Sequence, residues 1–301
     1  MIRCRLPVAS RHIVAGNLPH SRLLSTENRL NLAYDLHEPT KFKPSSTARP
    51  ILFLHGLFGS KKNNRTISKA LARDLRRPVY AVDLRNHGES PHHHTHDYTH
   101  MADDVAGFIE HHGLIRPTII GHSMGAKAAM TLGLKSPDHV QDIIAVDNAP
   151  VDAVLESSFA KYIRGLKKIE SANVTRQAEA IEILKEYESS LPIIHFLLGN
   201  LHRPESGKPE LKFRVPLDII GRSLNHMGDF PYKDPSKVRF ENPALFIRGT
   251  QSKYVPDDVL PIIGQFFPKF RLVDIDAGHW VISEKPEEFL QAVVEFLNDT
   301  E

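Results

Sequence analysis

The chain runs to 301 residues, 41% of them hydrophobic and 25% charged, with a formal net charge of +2. That length suits one large α/β domain with an insertion, or two small domains, and the near-balanced charge argues against nucleic-acid or membrane-surface partners. Cys4 is the only cysteine, which excludes an internal disulfide and fits a reducing compartment, and no apolar run approaches the roughly 20 residues that cross a bilayer.

Residues 1–26 stand apart. They carry Arg3, Arg5, Arg11 and Arg22, several serines, and no acidic residue before Glu27. Arginine-rich and acid-free is the composition of a mitochondrial presequence, so a mitochondrial protein, in the matrix or associated with the inner membrane, is expected. A basic tail is the alternative. The C-terminal Asn298-Asp299-Thr300-Glu301 is not a peroxisomal signal.

From residue 30 onward strand and helix alternate, which is how a mostly parallel sheet is written. Residues 30–36 read as a first strand, the all-apolar Ile51-Leu52-Phe53-Leu54 as a buried one, 66–75 as a helix and 79–82 as a strand. Val105, Phe108 and Ile109 give 101–111 helical spacing. A strand over 117–120 runs into Gly121-His122-Ser123-Met124-Gly125, a helix opens at Ala126, and 143–146 is the next strand. The pattern then changes: 155–167, 176–188, 192–201 and 217–226 read as helices, interrupted only by a short strand at 213–215. Alternation resumes with strand 244–247, a helix over 260–267, strand 271–275 and a closing helix over 286–297. The expected fold is a doubly wound, mostly parallel α/β sheet with ligands above the strand carboxyl ends. Its core would be residues 27–149 and 243–301, with a helical cap, 150–242, inserted after the sixth core strand.

Between a buried strand and a helix, G-x-S-x-G describes a nucleophile elbow that holds Ser123 above the sheet. A serine at neutral pH needs a base, and the base needs an orienting acid. His279, in Asp276-Ala277-Gly278-His279-Trp280 after the last strand, returns to the same edge and is the expected base. Two strand ends can supply the acid. After strand 244–247 the position nearest the strand holds Ser252, with Asp257 and Asp258 further on at a helix start; after strand 143–146 stands Asp147. Asp147 is the expected acid, Asp257 or Asp258 the alternatives, with Ser252 in a secondary hydrogen-bonding role. The oxyanion donors are expected at the backbone N–H of Met124 and of Leu57, in the loop His55-Gly56-Leu57-Phe58-Gly59-Ser60.

Two other features read as structural. His92, His93, His94, His96 and His100 lie on a loop with no carboxylate or cysteine spacing to complete a metal site, so no metal is expected. The segment Asp83-Leu84-Arg85-Asn86-His87-Gly88-Glu89-Ser90 is expected to brace the rim of the site. Serine rather than aspartate at 123 disfavours epoxide hydrolase and haloalkane dehalogenase chemistry.

Together, H-G-L-F-G-S, D-L-R-N-H-G-x-S, G-H-S-M-G, the aspartate of A-V-D-N-A-P, and A-G-H-W resemble the α/β-hydrolase superfamily from about residue 30 to the end. Within it the chain is similar to small bacterial esterases, the mitochondrial α/β-hydrolase-domain proteins of animals and the fungal ethanol acetyltransferases. The resemblance implies Ser123 as nucleophile, His279 as base, and the acid after the strand that follows the elbow helix, which is Asp147. Relatives often read G-H-S-M-G-G where this chain has Ala126. The expected activity is a serine acyl hydrolase that acts on carboxylic esters or short acyl thioesters through an acyl-enzyme and can pass the acyl group to an alcohol. The fungal branch implies the alternative of an alcohol O-acetyltransferase using acetyl-CoA as its main activity. A non-catalytic ligand- or partner-binding protein is the third reading. No cofactor is expected, and the partners are a small-molecule ester, thioester or alcohol, with no nucleic acid and no integral membrane segment.

Overall fold

The computed structural model of the protein describes residues 29–39, 49–153, 157–204 and 207–300; the presequence expected over residues 1–26 lies outside them. Strand β1 (Tyr34–His37) is followed by β2 (Ile51–Leu54), helix α1 (Arg65–Leu75), β3 (Val79–Val82), α2 (Tyr98–His111), β4 (Thr118–His122), α3 (Met124–Lys135) and β5 (Asp142–Val146). Four helices come next, α4 (Ser157–Ser171), α5 (Gln177–Leu184), α6 (Leu191–Leu198) and, after a two-stranded ribbon of β6 (Leu201–His202) and β7 (Lys212–Phe213), α7 (Leu217–Met227). The chain closes with β8 (Ala244–Gly249), α8 (Leu260–Phe266), β9 (Phe270–Ile275), α9 (Val281–Glu284) and α10 (Pro286–Thr300).

Seven strands form one sheet in the order β1-β3-β2-β4-β5-β8-β9. All neighbours run parallel except β1, which pairs antiparallel with β3 at the edge. Parallel strands buried on both faces read as unbroken apolar runs, and Ile51, Leu52, Phe53 and Leu54 are all fully buried. Successive side chains point to opposite faces: Ile51 and Phe53 pack with Leu71 and Phe289 on one side, Leu52 and Leu54 with Val105 and Met130 on the other. From the β2/β4 pair the chain winds outward in both directions, so the crevice above these two strand ends is the topological switch point where ligands bind.

Among the described residues five sheet strands precede the helical insertion, so it follows the fifth strand and not the sixth. Its apolar residues, including Phe159, Ile163, Leu166, Ile220 and Met227, join the cluster that holds Leu54, Leu57 and Met124. The insertion therefore has no separate core and leans on one face of the sheet edge. Several boundaries differ from expectation, among them the helices over 157–171, 177–184 and 191–198, and two of the differences have local reasons. Residues 30–33 fall short of a strand: Leu30 N–H donates to Asp104 and Ala33 N–H to the Ser90 hydroxyl, while Ala33 O accepts from Asp83 N–H at 2.8 Å. Helix α2 begins three residues early because the Asp97 carboxylate caps it by accepting from His100 N–H at 2.9 Å.

Candidate active site

The segment Gly121–Gly125 turns from β4 into α3 with Ser123 at φ 54° and ψ −113°, a conformation that costs an L-residue roughly 1–3 kcal/mol. The flanking glycines are required by close approach. A Cβ on Gly121 would lie 2.2 Å from the Gly125 carbonyl oxygen, and one on Gly125 would lie 2.4 Å from that of Leu54. Ser123 N–H donates to Val146 O at 2.9 Å, and Asn148 Nδ2 donates to Ser123 O at 3.2 Å. The strained turn is thus held by the neighbouring strand.

Three side chains lie in hydrogen-bonded line on that edge. The Ser123 hydroxyl donates to His279 Nε2 at 2.9 Å, and His279 Nδ1–H donates to Asp147 Oδ2 at 2.6 Å. Asp147 is fully buried and itself sits at φ 51°. Its carboxylate also accepts from the Ser252 hydroxyl at 2.5 Å and from Gly249 N–H at 3.1 Å. Asp257 instead pairs with Arg248 at 2.6 Å on the surface, and Asp258 is exposed. Neither approaches the imidazole. The β8 end therefore contributes a hydroxyl to the Asp147 carboxylate, and β5 contributes the carboxylate.

Leu57 and Met124 line the same pocket as Ser123, with Tyr98, Phe159, Met227 and Tyr254. Met124 opens α3, where the first N–H groups have no helical partner. The Leu57 loop is fixed from both ends: Gly59 N–H donates to Gly56 O at 2.9 Å, and Phe58 N–H donates to His87 Nε2 at 3.2 Å. In return Leu84 N–H donates to His55 Nε2 at 3.0 Å. Burial lowers the pKa of both imidazoles and favours the neutral ring needed to accept these bonds. Asp83, also fully buried, accepts from Lys61 N–H at 2.6 Å, Lys61 Nζ at 2.7 Å and Glu89 N–H at 2.9 Å. The 83–90 segment therefore braces this loop directly.

The histidines of 92–100 do not converge: His92 Nε2–H donates to Arg214 O, His100 meets Asp97, His96 is buried beside Asn86, and the rings of His93 and His94 pack on each other. Among the described residues no three His, Cys, Asp or Glu side chains approach as metal ligands do.

Several neighbours of the site had no sequence signal of their own. Tyr254 stacks on His279 with centroids 4.1 Å apart. His122, inside the elbow motif, donates from Nε2 to the His279 carbonyl at 2.8 Å, and burial pushes its imidazole down to about 4. Lys127, one turn along α3, is buried beneath the pocket, and its ammonium donates to the carbonyls of Val151, Gly228 and Asp229. A lysine on a helix ordinarily reads as a solvated residue, and only the packing shows otherwise.

A doubly wound sheet with a strained serine turn between β4 and α3 defines the α/β-hydrolase class, and the chain belongs to the α/β-hydrolase fold family, whose sequence profile matches residues 49–181 and 193–286. It is 39% identical over 270 residues to an abhydrolase domain-containing protein of Schizosaccharomyces pombe, covering 90% of this chain and 98% of that one. It is 40% identical over 290 residues to a probable alcohol acetyltransferase of Saccharomyces cerevisiae (89% and 83% covered). Identity is 36% over 274 residues with the sn-1-specific diacylglycerol lipase of Xenopus laevis (89% and 84% covered). Among solved structures, a marine microorganism esterase superposes with a TM-score of 0.81 at 32% identity, covering 89% of this chain and 99% of that one.

Proposed function

We propose that the protein is a serine acyl hydrolase in which Ser123 is the nucleophile, His279 the general base and acid, and Asp147 the group that orients the imidazole. The reading rests on the unbroken line from Ser123 Oγ through His279 to a buried carboxylate. Ser123 Oγ attacks the acyl carbon as its proton passes to His279 Nε2. The negative charge on the carbonyl oxygen is met by the N–H groups of Leu57 and Met124, each such donor being worth about 3 kcal/mol in related chemistry. The C–O bond of an ester, or the C–S bond of a thioester, then breaks, and the leaving oxygen or sulfur takes the proton from Nε2. Water, or an alcohol, loses its proton to the same nitrogen as it attacks the acyl-serine; the bond from the acyl carbon to Ser123 Oγ then breaks, Oγ takes the proton back from Nε2, and the acid or a new ester leaves.

Ester hydrolysis is the main reading, in keeping with the esterase that this fold superposes on at 32% identity. Alcoholysis is the second, in keeping with the relative named as a probable alcohol acetyltransferase. The helices between β5 and β8, within residues 150–242, act in this proposal as a cap that sets the water content of the site and so the balance between the two acceptors. The arginine-rich residues 1–26 are proposed to direct the chain to mitochondria.

The decisive experiment is labelling with a fluorophosphonate probe, alongside turnover of p-nitrophenyl acetate and of acetyl-CoA with and without ethanol. Labelling that disappears in Ser123→Ala is the expected result. A wild-type protein that neither labels nor turns over any of these substrates sinks the catalytic reading and favours a binding role.

A further inference from the structure

The loop that leaves β8 touches both partners of Ser123 with neighbouring residues. Ser252 donates its hydroxyl to Asp147 Oδ2 at 2.5 Å. Two residues later Tyr254 lays its ring against His279, with centroids 4.1 Å apart and planes 26° from parallel. The two contacts are tied to each other, since Tyr254 N–H donates to Ser252 Oγ at 3.3 Å. The next residue anchors the loop: Val255 is buried, and its carbonyl accepts from the Arg248 guanidinium at 3.2 Å. With its backbone pinned on both sides, Tyr254 presents its ring in one place.

The imidazole needs that support because few contacts hold it. Its side chain is 16% exposed, so packing does not cage it. Nδ1–H donates to Asp147 at 2.6 Å, and Nε2 accepts from the Ser123 hydroxyl at 2.9 Å. The second of these bonds disappears during the reaction. Once Oγ carries the acyl group it has no proton to donate, and Nε2 faces only a water or alcohol that comes and goes. Among the described residues the ring is then left with one hydrogen bond, to Asp147, and can swing about it. Nε2 must nevertheless meet the attacking oxygen within hydrogen-bond reach. The other rings near it stand further off, His122 at 5.1 Å and Trp280 edge-on at 5.8 Å. The His279 main chain is fixed separately, its carbonyl accepting from His122 Nε2–H at 2.8 Å, so the motion left open is that of the side chain.

Resting on the acyl-enzyme reading above, we propose that Tyr254 is a positioning residue for the second half of the reaction, its ring face keeping the His279 imidazole aimed while Ser123 is acylated. In the first half the Ser123 hydroxyl shares that task. In the second, the attacking water or alcohol gives its proton to Nε2 as its oxygen bonds to the acyl carbon. The bond from that carbon to Oγ then breaks, and Oγ takes the proton from Nε2. Both transfers require Nε2 to stand where the hydroxyl first held it. A ring stacked on the imidazole opposes a swing out of plane, which would either part the two faces or drive one into the other. The loop after β8 therefore serves two groups: Ser252 steadies the acid and Tyr254 the base.

The two halves are read separately on the purified full chain. Rapid acid quench during turnover of a saturating p-nitrophenyl ester, followed by mass spectrometry, gives the ratio of acylated to free enzyme. That ratio is the acylation rate over the deacylation rate, and with kcat it yields both. Tyr254→Leu is expected to slow deacylation about tenfold and acylation about twofold at most, so that acyl-enzyme accumulates. Tyr254→Phe, which keeps the ring, should recover most of the lost deacylation rate. Tyr254→Met should repeat the leucine result, and it takes the place of that variant if the leucine protein does not fold. Equal slowing of the two steps overturns the proposal, because a general packing defect would act on both. So does an unmoved ratio, or a phenylalanine variant no faster in deacylation than the leucine one. Fluorophosphonate labelling of the wild type separates the two levels. A labelled, acylated enzyme whose ratio ignores Tyr254 refutes the positioning role alone, whereas an unlabelled, inactive one refutes the acyl-enzyme and the role with it.

Discussion

The carboxyl edge of the sheet and the helices packed over it are built by different rules. At the edge, charged groups are buried and multiply hydrogen-bonded: the Asp147 carboxylate takes part in three hydrogen bonds, the Asp83 carboxylate in three, and Arg85 meets Asp104 with two bonds at 2.7 and 2.9 Å. Two residues of the hydrogen-bonded line, Ser123 and Asp147, hold positive φ there. The α4–α7 segment buries mainly the apolar stripe of each helix. Its ion pairs, such as Lys167–Asp218, Lys168–Glu186 and Lys185–Glu182, are exposed and worth little, about 0–1 kcal/mol each. The edge specifies geometry, where one misplaced group is felt at the reacting atoms. The segment above it specifies shape, where a repacked side chain changes what fits. The two meet at few polar points: Lys127 on the carbonyls of 151, 228 and 229, Tyr98 hydroxyl on Met227 O, and Asn200 Nδ2 on Phe58 O at 2.6 Å.

Substitutions at the edge should therefore break chemistry while leaving stability nearly intact. Ser123→Ala is expected to reduce kcat by about 10⁶-fold with little change in Tm, whereas Ser123→Gly is equally inactive but more stable by about 1 kcal/mol because glycine tolerates φ 54°. A Gly variant no more stable than wild type would show that the turn stores no strain. Asp147→Asn should cost about four orders of magnitude in kcat, and Asp257→Asn should stay within about twofold, since it loses only an exposed pair with Arg248. The reverse ranking would move the acid to the β8 side. Ser252→Ala removes one of the bonds to Asp147 and should cost about tenfold in kcat; an unchanged rate would make Ser252 dispensable for holding the carboxylate.

Acidification sharpens the comparison, because buried imidazoles belong to the edge. Burial lowers the pKa of His122 from its ordinary 6.5 to about 4 and that of His96 to about 3. A folded-state pKa below the unfolded one contributes stability that is complete above about pH 6.5 and is lost as pH falls through the folded value. Tm measured from pH 8 to pH 4 should be flat at first and decline below about pH 6.5, with a shallower decline in His122→Asn. A decline of the same slope in that variant would assign the acid sensitivity to other groups.

The smallest expected effect is at the junction. Asn200→Ala frees the Phe58 carbonyl from the helical segment and should destabilise by about 1 kcal/mol, with the acyl-chain preference of p-nitrophenyl esters altered more than kcat for the acetate. Loss of kcat as large as that of Ser252→Ala would mean that shape and chemistry are not separable here.

Much of the sheet is legible in the residues alone because its signals are local. Ile51–Leu54 is apolar at every position, so it reads as a strand covered on both faces, and Gly121 and Gly125 announce a turn whose tightness only glycine permits. Order along the chain placed Ser123 and His279 at one sheet edge. Those facts follow from periodicity, sterics and the handedness of crossovers, which need no knowledge of distant contacts. Asp147 was favoured over Asp257 and Asp258 by its strand end and by the family resemblance; the fall of Tyr254 onto the imidazole, the burial of Lys127 and the orphaned amide of Asn64 were of another kind. Each depends on how strand ends and loops far apart in sequence come to lie within a few ångströms, and on which side chains are then cut off from water. Tertiary packing decided those, since desolvation and hydrogen-bond satisfaction are properties of the assembled surroundings and not of any single segment.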